Sequence, residues 1–416
     1  MPDLLRTYAD RLRAFHPNAR LYLANVILSG AAMGVYRILF NFFILARGYD
    51  QALLGTLVTT NNLTALLAAL PIGYLADFLG RKRSLLLGSA AVSLAIVVIV
   101  LAPAPVILLG ASVMLGLAQS LVGVSMGPFL MENSGEQERT YLFSFASGLQ
   151  MASMFVGNWL GGYLPGWMAP ITGGTATGAA AYGGALLIIA AGSAFSVVPL
   201  FFLRTPRSLQ RRSVFAPFEY FRKYPSLLSR LILPMLVTSI GAGLIMPFMN
   251  VFFRQVHHLS DPAIGTLFAW GSLAMGLGLM IAPPLADRYG KIQLVVITQA
   301  ISIPFLILLG FAPWLGASVA AYFVRLTLMN MSGPVYQTFV MERVEPNARA
   351  TVASLVSMAN NFGWAFSPSI SGWLQVSYGF GPAFGGTVVL YMLSVYLYWL
   401  YFWKPQPASS AALAQD

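Results

Sequence analysis

The sequence predicts an all-α integral membrane protein of twelve transmembrane helices, arranged as two six-helix bundles related by a parallel repeat. Three observations carry this expectation. Of 416 residues, 57% are hydrophobic and 9% charged, whereas a water-soluble domain carries about 25% charge. Apolar stretches of about 20 residues, the length that crosses hydrocarbon, recur along the whole chain. Finally, a fixed offset of 210 residues superposes separate patches of the first half on the second, the mark of an internal duplication.

Residues 1–20 carry Arg6, Arg11, Arg13 and Arg20 without a short apolar core, so a cleavable leader is not expected and the chain stays embedded. Six apolar segments follow, centred near residues 33, 63, 93, 117, 153 and 190, and form a bundle over 21–202. Residues 203–230 hold seven cationic side chains, Pro206, Pro217, Pro225 and an amphipathic stretch over 215–224, and read as a linker on the membrane surface. Segments centred near 240, 274, 301, 326, 361 and 393 form the second bundle over 231–403, and 404–416 is a tail. Twelve is even, so both termini share a side. All 24 Lys and Arg except Arg37, Arg47, Arg254 and Arg325 fall in the segments on that side. The positive-inside bias therefore places both termini in the cytoplasm, as expected of a multi-pass protein of an inner (plasma) membrane. Trp159, Trp167, Trp314, Trp373, Trp399 and Trp403 lie near span ends, where indole rings anchor at the interface.

The offset aligns Phe42 and Phe43 with Phe252 and Phe253, the run 55–57 (Gly-Thr-Leu) with 265–267, and the run 75–77 (Leu-Ala-Asp) with 285–287. It also aligns Gly80 with Gly290, Glu132 with Glu342, Arg139 with Arg349, and Gly162 with Gly372. Six helices separate the copies, an even number, so the halves have the same topology. This is the repeat type of two-bundle carriers whose site lies between the halves.

Composition also excludes whole classes. With no Cys and only His16, His257 and His258, there is no disulfide, no thiolate chemistry and no credible metal ligand set. No cofactor, metal or catalytic residue is expected, and no carboxylate cluster suggests an enzyme. No G-x-x-x-x-G-K-[ST] loop points to nucleotide-driven pumping. The net charge of +11 reports orientation, not nucleic-acid binding, because long apolar runs are foreign to nucleic-acid modules. The expected partners are a small organic substrate and the lipid bilayer, with a monomer sufficing.

The loop after the second span reads GYLADFLGRKR over 73–83, and its mate reads LADRYGK over 285–291. This resembles the signature loop G-x-L-A-D-R-x-G-R-K of the major facilitator superfamily, with Phe78 and Pro283 as departures. The resemblance implies two rocking bundles and a gating role for Asp77, Arg81, Asp287, Arg288 and Lys291. It pairs Asp77 with the start of helix 11 near Ala350, and Asp287 with the start of helix 5 near Thr140. Glu132 and Arg139, repeated as Glu342 and Arg349, resemble residues that latch the same surface in the family; an ordinary solvated helix-end pair is the alternative. Helix 5 holds Ser153, Gly157, Asn158, Gly161 and Gly162, and helix 11 holds Gly363, Ser367, Pro368, Ser371 and Gly372. These are degenerate copies of the G-x-x-x-G-P-x-x-G-G pattern of proton-linked exporters, and close helix packing explains the same spacing. Ser112 stands where many such exporters carry an Arg.

Arg37 and Arg325 lie roughly 13 and 16 Å from the outer ends of helices 1 and 10 at about 1.5 Å per residue. Charges at such depth are costly and mark pathways. No Asp or Glu lies at comparable depth. The arginines therefore either bind an anionic substrate group or act as clamps satisfied by carbonyls and polar side chains. Tyr36, Asn61, Gln119, Asn250, Asn330 and Asn361 complete the expected substrate-binding set. Met33, Met126, Met246, Met249 and the aromatics Phe40, Phe248, Trp270 and Trp364 suit either a broad apolar cavity or helix packing. The expectation is a secondary transporter exporting an amphipathic or anionic compound, with uptake or exchange of an organic anion as the alternative. Any proton coupling is assigned to an edge acid such as Asp50 or to the substrate.

Overall fold

A computed structural model describes residues 15–102, 104–134, 136–204, 224–344 and 349–403, with backbone alone at 70, 136–141, 144, 349–351, 353 and 354. The N-terminal segment to residue 14, linker residues 205–223 and the tail from 404 lie outside the described residues.

Every regular element among the described residues is helical. The twelve long helices are α1 Pro17–Ala46, α2 Gln51–Leu79, α3 Arg81–Leu101, α4 Pro105–Glu132, α5 Glu136–Thr172, α6 Ala179–Phe195, α7 Pro225–Ile245, α8 Asp261–Tyr289, α9 Lys291–Phe311, α10 Leu315–Glu342, α11 Arg349–Tyr378 and α12 Gly381–Tyr398. By length and composition, nine segments among the described residues are apolar enough to cross a membrane. The others, α5, α10 and α11, do not meet that apolar measure. The duplication is written in the element bounds. α2 and α8 each run 29 residues, α3 and α9 21, and α4 and α10 28, with starts and ends at the same offset.

Local chemistry sets the boundaries. Pro17 opens α1, and the His16 ring accepts the Asn18 N–H at 3.2 Å. The Asp50 carboxylate accepts the Leu53 N–H at 2.9 Å and so caps α2. This is the edge acid to which proton coupling was assigned, and it is exposed and occupied as a cap. α2 and α8 end at Gly80 and Gly290, with φ of +83° and +92°, a conformation strained for any residue with a Cβ. At Gly80 nothing lies within 4 Å of an added Cβ. Gly80→Ala is therefore expected to cost about 1 kcal/mol through backbone strain alone, read as a small drop in the apparent Tm of purified protein.

The chain forms two compact units, Met1–Arg212 with Phe248–Leu273, and Ser213–Pro247 with Ala274–Asp416. The boundary inside the seventh span has a local cause. Pro247 sits in a 3₁₀ turn over Met246–Phe248, and a short helix Met249–Gln255 follows. Proline lacks the N–H that would continue the α-helix, so the chain redirects there. The first unit packs Tyr22, Leu23 and Val26 of α1 against Leu85, Phe129, Leu130 and Leu142. The second packs Leu231, Val295, Val335, Tyr336, Phe339 and Tyr398.

Within a bilayer such packing relies on close contact more than on water exclusion, and small residues provide it in equivalent places. A Cβ on Gly34 would lie 2.8 Å from the Met154 carbonyl oxygen, so α1 and α5 touch backbone to backbone. On Gly243, one residue off the repeat mate of Gly34, it would lie 2.8 Å from the Gly363 carbonyl oxygen, a similar contact between α7 and α11. The degenerate helix 5 and helix 11 motifs thus act as packing surfaces in both units.

Candidate functional site

The two deep arginines have different surroundings. Arg37 is exposed on α1 one turn from exposed Met33. Its guanidinium carbon lies 6.0 Å from the ring centre of Phe268 on α8, and no carboxylate pairs with it among the described residues. Arg325 is only 2% exposed. It donates to the Tyr391 hydroxyl on α12 at 3.0 Å, and Nη1 lies 3.6 Å from Met246 Sδ. Its Nε is buried without a hydrogen-bond partner. Arg37 is thus an exposed cation, whereas Arg325 is buried and joins α10 to α12 and the end of α7.

Asn61 lies on α2 ten residues from its start, roughly 15 Å deep at about 1.5 Å per residue, near the level of Arg37. Its amide nitrogen is buried and has no hydrogen-bond partner. Gln119 is half-buried on α4. Tyr36 is buried and stacks on Phe40 with centroids 5.1 Å apart, so its ring belongs to packing. Asn250 is also committed: it accepts from Asn41 at 2.8 Å and donates to the Ile38 carbonyl at 2.9 Å. In the second unit, Asn330 and Asn361 donate to the carbonyls of Leu326 and Ser357, one turn back on their own helices. Trp270 is exposed and meets Phe155 edge-on at 6.0 Å, whereas Phe248 and Met249 are buried.

The signature loops hold local ion pairs. In the first unit Arg81 bridges Asp77 at 2.6 Å and Glu132 at 3.1 Å. In the second, Lys291 pairs with Glu342 at the repeat-equivalent positions. Asp287 and Arg288 are exposed, with Arg288 over the Tyr289 ring. The side chains of Arg139 and Arg349, and those near Thr140 and Ala350, lie outside the described residues.

The first unit also contains a polar cluster that the sequence did not foretell. The Met249–Gln255 helix and the start of α8 are fastened to α1, α5 and α6. Arg254 pairs with Asp261 and donates to the Tyr182 hydroxyl at 2.7 Å, and that hydroxyl donates to Asp261 Oδ2 at 2.6 Å. The guanidinium carbon lies 3.4 Å from the centre of the Phe42 ring, a cation–π contact on the same group. Nearby, Asn158 donates to Ser272 at 3.1 Å. A Cβ on Gly162 would lie 2.7 Å from the Asp261 carbonyl oxygen, so α5 meets α8 backbone to backbone. The available signal was Arg254 itself, one of the four cations on the wrong side for the charge bias.

Two repeated six-helix halves, signature loops in local ion pairs and an exposed mid-depth arginine define a multi-pass membrane protein of the carrier class. The family profile described as Major Facilitator Superfamily matches residues 22–368 and, again, 231–416. The chain belongs to the Major Facilitator Superfamily. It is 26% identical over 197 residues to "Uncharacterized MFS-type transporter YceJ" of Bacillus subtilis (strain 168), a match spanning 47% of this chain and half the length of that relative. Among solved structures, a bacterial homolog to the human lysosomal transporter Spinster, inward-facing and unoccupied, superposes with a TM-score of 0.75 at 16% identity, covering 92% of this chain and 95% of that one. The nucleoside transporter NupG gives 0.72 at 15% identity, covering 94% and 100%. At such identities the likeness is one of fold.

Proposed function

We propose that this protein is a secondary transporter that moves a small organic compound with an anionic group across an inner (plasma) membrane by alternating access, in the direction of efflux. The observation that carries this reading is Arg37, exposed at mid-depth on α1 against Phe268 with no carboxylate partner among the described residues. A cation at that depth is costly unless a ligand or water cavity meets it. A guanidinium beside an aromatic ring suits a carboxylate or phosphate attached to an apolar body. Asn61 on α2, at similar depth, has a buried amide nitrogen whose donor is still unsatisfied. Family membership supports transport, and the charge bias supports cytoplasmic termini in a monomeric carrier.

The test is a thermal-shift screen of purified protein against organic anions and lipophilic cations. A ligand at 100 times its Kd stabilises the folded state by about 2.7 kcal/mol. Anions are expected to raise the Tm of the wild type and of Arg325→Met, and to lose the effect in Arg37→Gln. Stabilisation by lipophilic cations that survives Arg37→Gln overturns the anionic assignment. Hits are then followed in everted and right-side-out vesicles. Accumulation in everted vesicles supports efflux, and accumulation only in right-side-out vesicles overturns that direction.

A further inference from the structure

In the second unit, a groove opens on the face where Lys and Arg cluster. Where α9 starts and α10 ends, a cavity of about 410 Å³ is lined by Lys291, Phe339, Glu342, Arg343, Phe402 and Trp403. Phe402 and Trp403 lie on the turn Trp399–Trp403, where the helix that continues α12 widens to π geometry; such turns are rare and recur at functional positions. Arg343 is the unspent charge. Its guanidinium carbon lies 4.2 Å from the centre of the Phe339 ring and 5.3 Å from that of Phe402, and no carboxylate pairs with it among the described residues. Glu342, the acid in the lining, is paired with Lys291. Two cations against one acid leave the lining with an excess positive charge. No side chain caps the start of α9, so the unbonded N–H groups of its first turn add to that potential.

The equivalent place in the first unit is closed. Asn133 stands at the repeat mate of Arg343, and its amide is taken by Asn18 and the Phe129 carbonyl. Arg81, the mate of Lys291, is buried and bridges both Asp77 and Glu132. Tyr22 of α1 lies over Phe129, the mate of Phe339, with centroids 5.2 Å apart. The duplicated scaffold therefore packs at this point without a free cation, and Arg343 is not required by the shared architecture.

We propose that this groove binds the headgroup of an anionic phospholipid, with its phosphodiester held by Arg343 and Lys291 and its acyl chains lying along α12. The charge fits, because one negative group completes the lining. A guanidinium flat against aromatic rings keeps its N–H edge for phosphate oxygens. The apolar part of the lipid fits as well: Val389, Leu393, Tyr396 and Leu400 are exposed at helical spacing and form a stripe that leads toward Trp403, an indole of the kind that anchors at a membrane interface. A dissolved phosphate would meet the cations and leave that stripe and the aromatic wall uncovered. The chain's own following segment, residues 404–415, carries Lys404 and no acidic side chain, so it does not supply the missing counter-charge.

The test is native mass spectrometry of the delipidated full-length protein, titrated with phosphatidylglycerol and with phosphatidylcholine of the same acyl chains. In the wild type the first phosphatidylglycerol is expected to bind about fivefold tighter than the first phosphatidylcholine, the weight of one surface cation toward anionic lipid. Arg343→Gln should bring the two affinities to near equality. Lys291→Gln, on the opposite wall, should do the same, because it leaves Glu342 unpaired beside the headgroup, and it carries the test if Arg343→Gln fails to fold. Arg230→Gln removes the same charge from an exposed position on α7 outside the groove and should keep the wild-type preference. Circular dichroism and monodispersity establish that each variant is folded. Equal affinity for both lipids in the wild type, the result expected if residues beyond 403 fill the groove, overturns the proposal. So does a preference that survives Arg343→Gln or Lys291→Gln in folded protein, or one lost equally in Arg230→Gln, which would mark diffuse attraction to the whole face. Displacement of phosphatidylglycerol by millimolar inorganic phosphate would identify a site for a soluble anion and overturn the lipid assignment. The readout needs no substrate, so the proposal stands or falls apart from the transport reading.

Discussion

Gly157→Ala is expected to disrupt the first unit more than any other single-methyl change. A Cβ at Gly157 on α5 would fall inside the van der Waals radius of the Ala31 carbonyl oxygen on α1, with the Ala31 carbonyl carbon at 2.9 Å and its Cα at 3.0 Å. All three atoms are backbone, so no side-chain rotation relieves the overlap. Either α1 and α5 separate along their length or one helix shifts. Separation also undoes the neighbouring backbone contact, which is so close that a Cβ added to Gly34 would lie 2.8 Å from the Met154 carbonyl oxygen. Overpacking of this kind costs about 1–3 kcal/mol where side chains adjust, and more where they do not. We therefore expect a loss of about 3 kcal/mol or more, read as a large fall in apparent Tm and poor recovery of monodisperse protein. Gly148 on the same helix is the control, since nothing lies within 4 Å of its added Cβ. Gly148→Ala should be neutral or mildly stabilising, by up to about 1 kcal/mol from helix propensity. Equal behaviour of the two variants would show that α1 and α5 do not touch as described.

Arg325 gives the second large effect, with a sign that depends on the replacement. Arg325→Ala empties a fully buried volume and leaves the Tyr391 hydroxyl without its 3.0 Å donor. Large-to-small changes in packed interiors cost about 2–5 kcal/mol, so a strong loss of stability is expected. Arg325→Met fills much of the same space without a charge. A buried guanidinium with no acidic partner among the described residues bears a desolvation cost that a well-packed apolar side chain does not. Arg325→Met is therefore expected to be at least as stable as the wild type, and to bind anions unchanged. Thermal denaturation of both variants decides the matter. If Arg325→Met is as damaged as Arg325→Ala, the charge itself holds the second unit together, and the clamp reading based on shape fails.

The contrast between Arg37 and Arg325 shows where sequence reading stops. Counting residues from a span end placed both at mid-depth, because helical rise is constant. It did not say which way each side chain points. That depends on which neighbours fill the helix surface at that level. Tyr391, far along the chain on α12, covers Arg325, whereas the side of α1 beyond Met33 leaves Arg37 open. The same limit applies to Asn250, whose amide is consumed by Asn41 and a carbonyl on another helix, and to Tyr36, which is packed against Phe40.

The acids followed the same division. Asp50 was legible as an acid at the edge of a span, and its position immediately before Gln51 makes it a helix cap by local geometry. Asp261 is the first residue of α8, one place beyond the repeat mate of Asp50, where an acid suits the helix N-terminus. Its burial and its bonds to Arg254 and Tyr182 come from three segments that are distant in the chain. Arg254 was visible as an exception to the charge bias, but an exception names no partner.

What the sequence determined by itself was the helical membrane class, the number of spans and the duplication. Hydrophobic length sets spans because unpaired backbone groups in hydrocarbon leave only a helix or a closed barrel, and runs of about 20 apolar residues fit the helix. A gap-free offset carries the same boundaries into both halves, down to the start and end of α2, α3 and α4 and their mates. What only the tertiary structure decided was which polar groups are free and which are spent. Side-chain facing, the break at Pro247 that joins Met249–Gln255 to the first unit, and the pairing of Asp261 with Arg254 and Tyr182 all arise from contacts between remote segments. Such contacts are set by close packing across helices, to which local propensity and periodicity are blind.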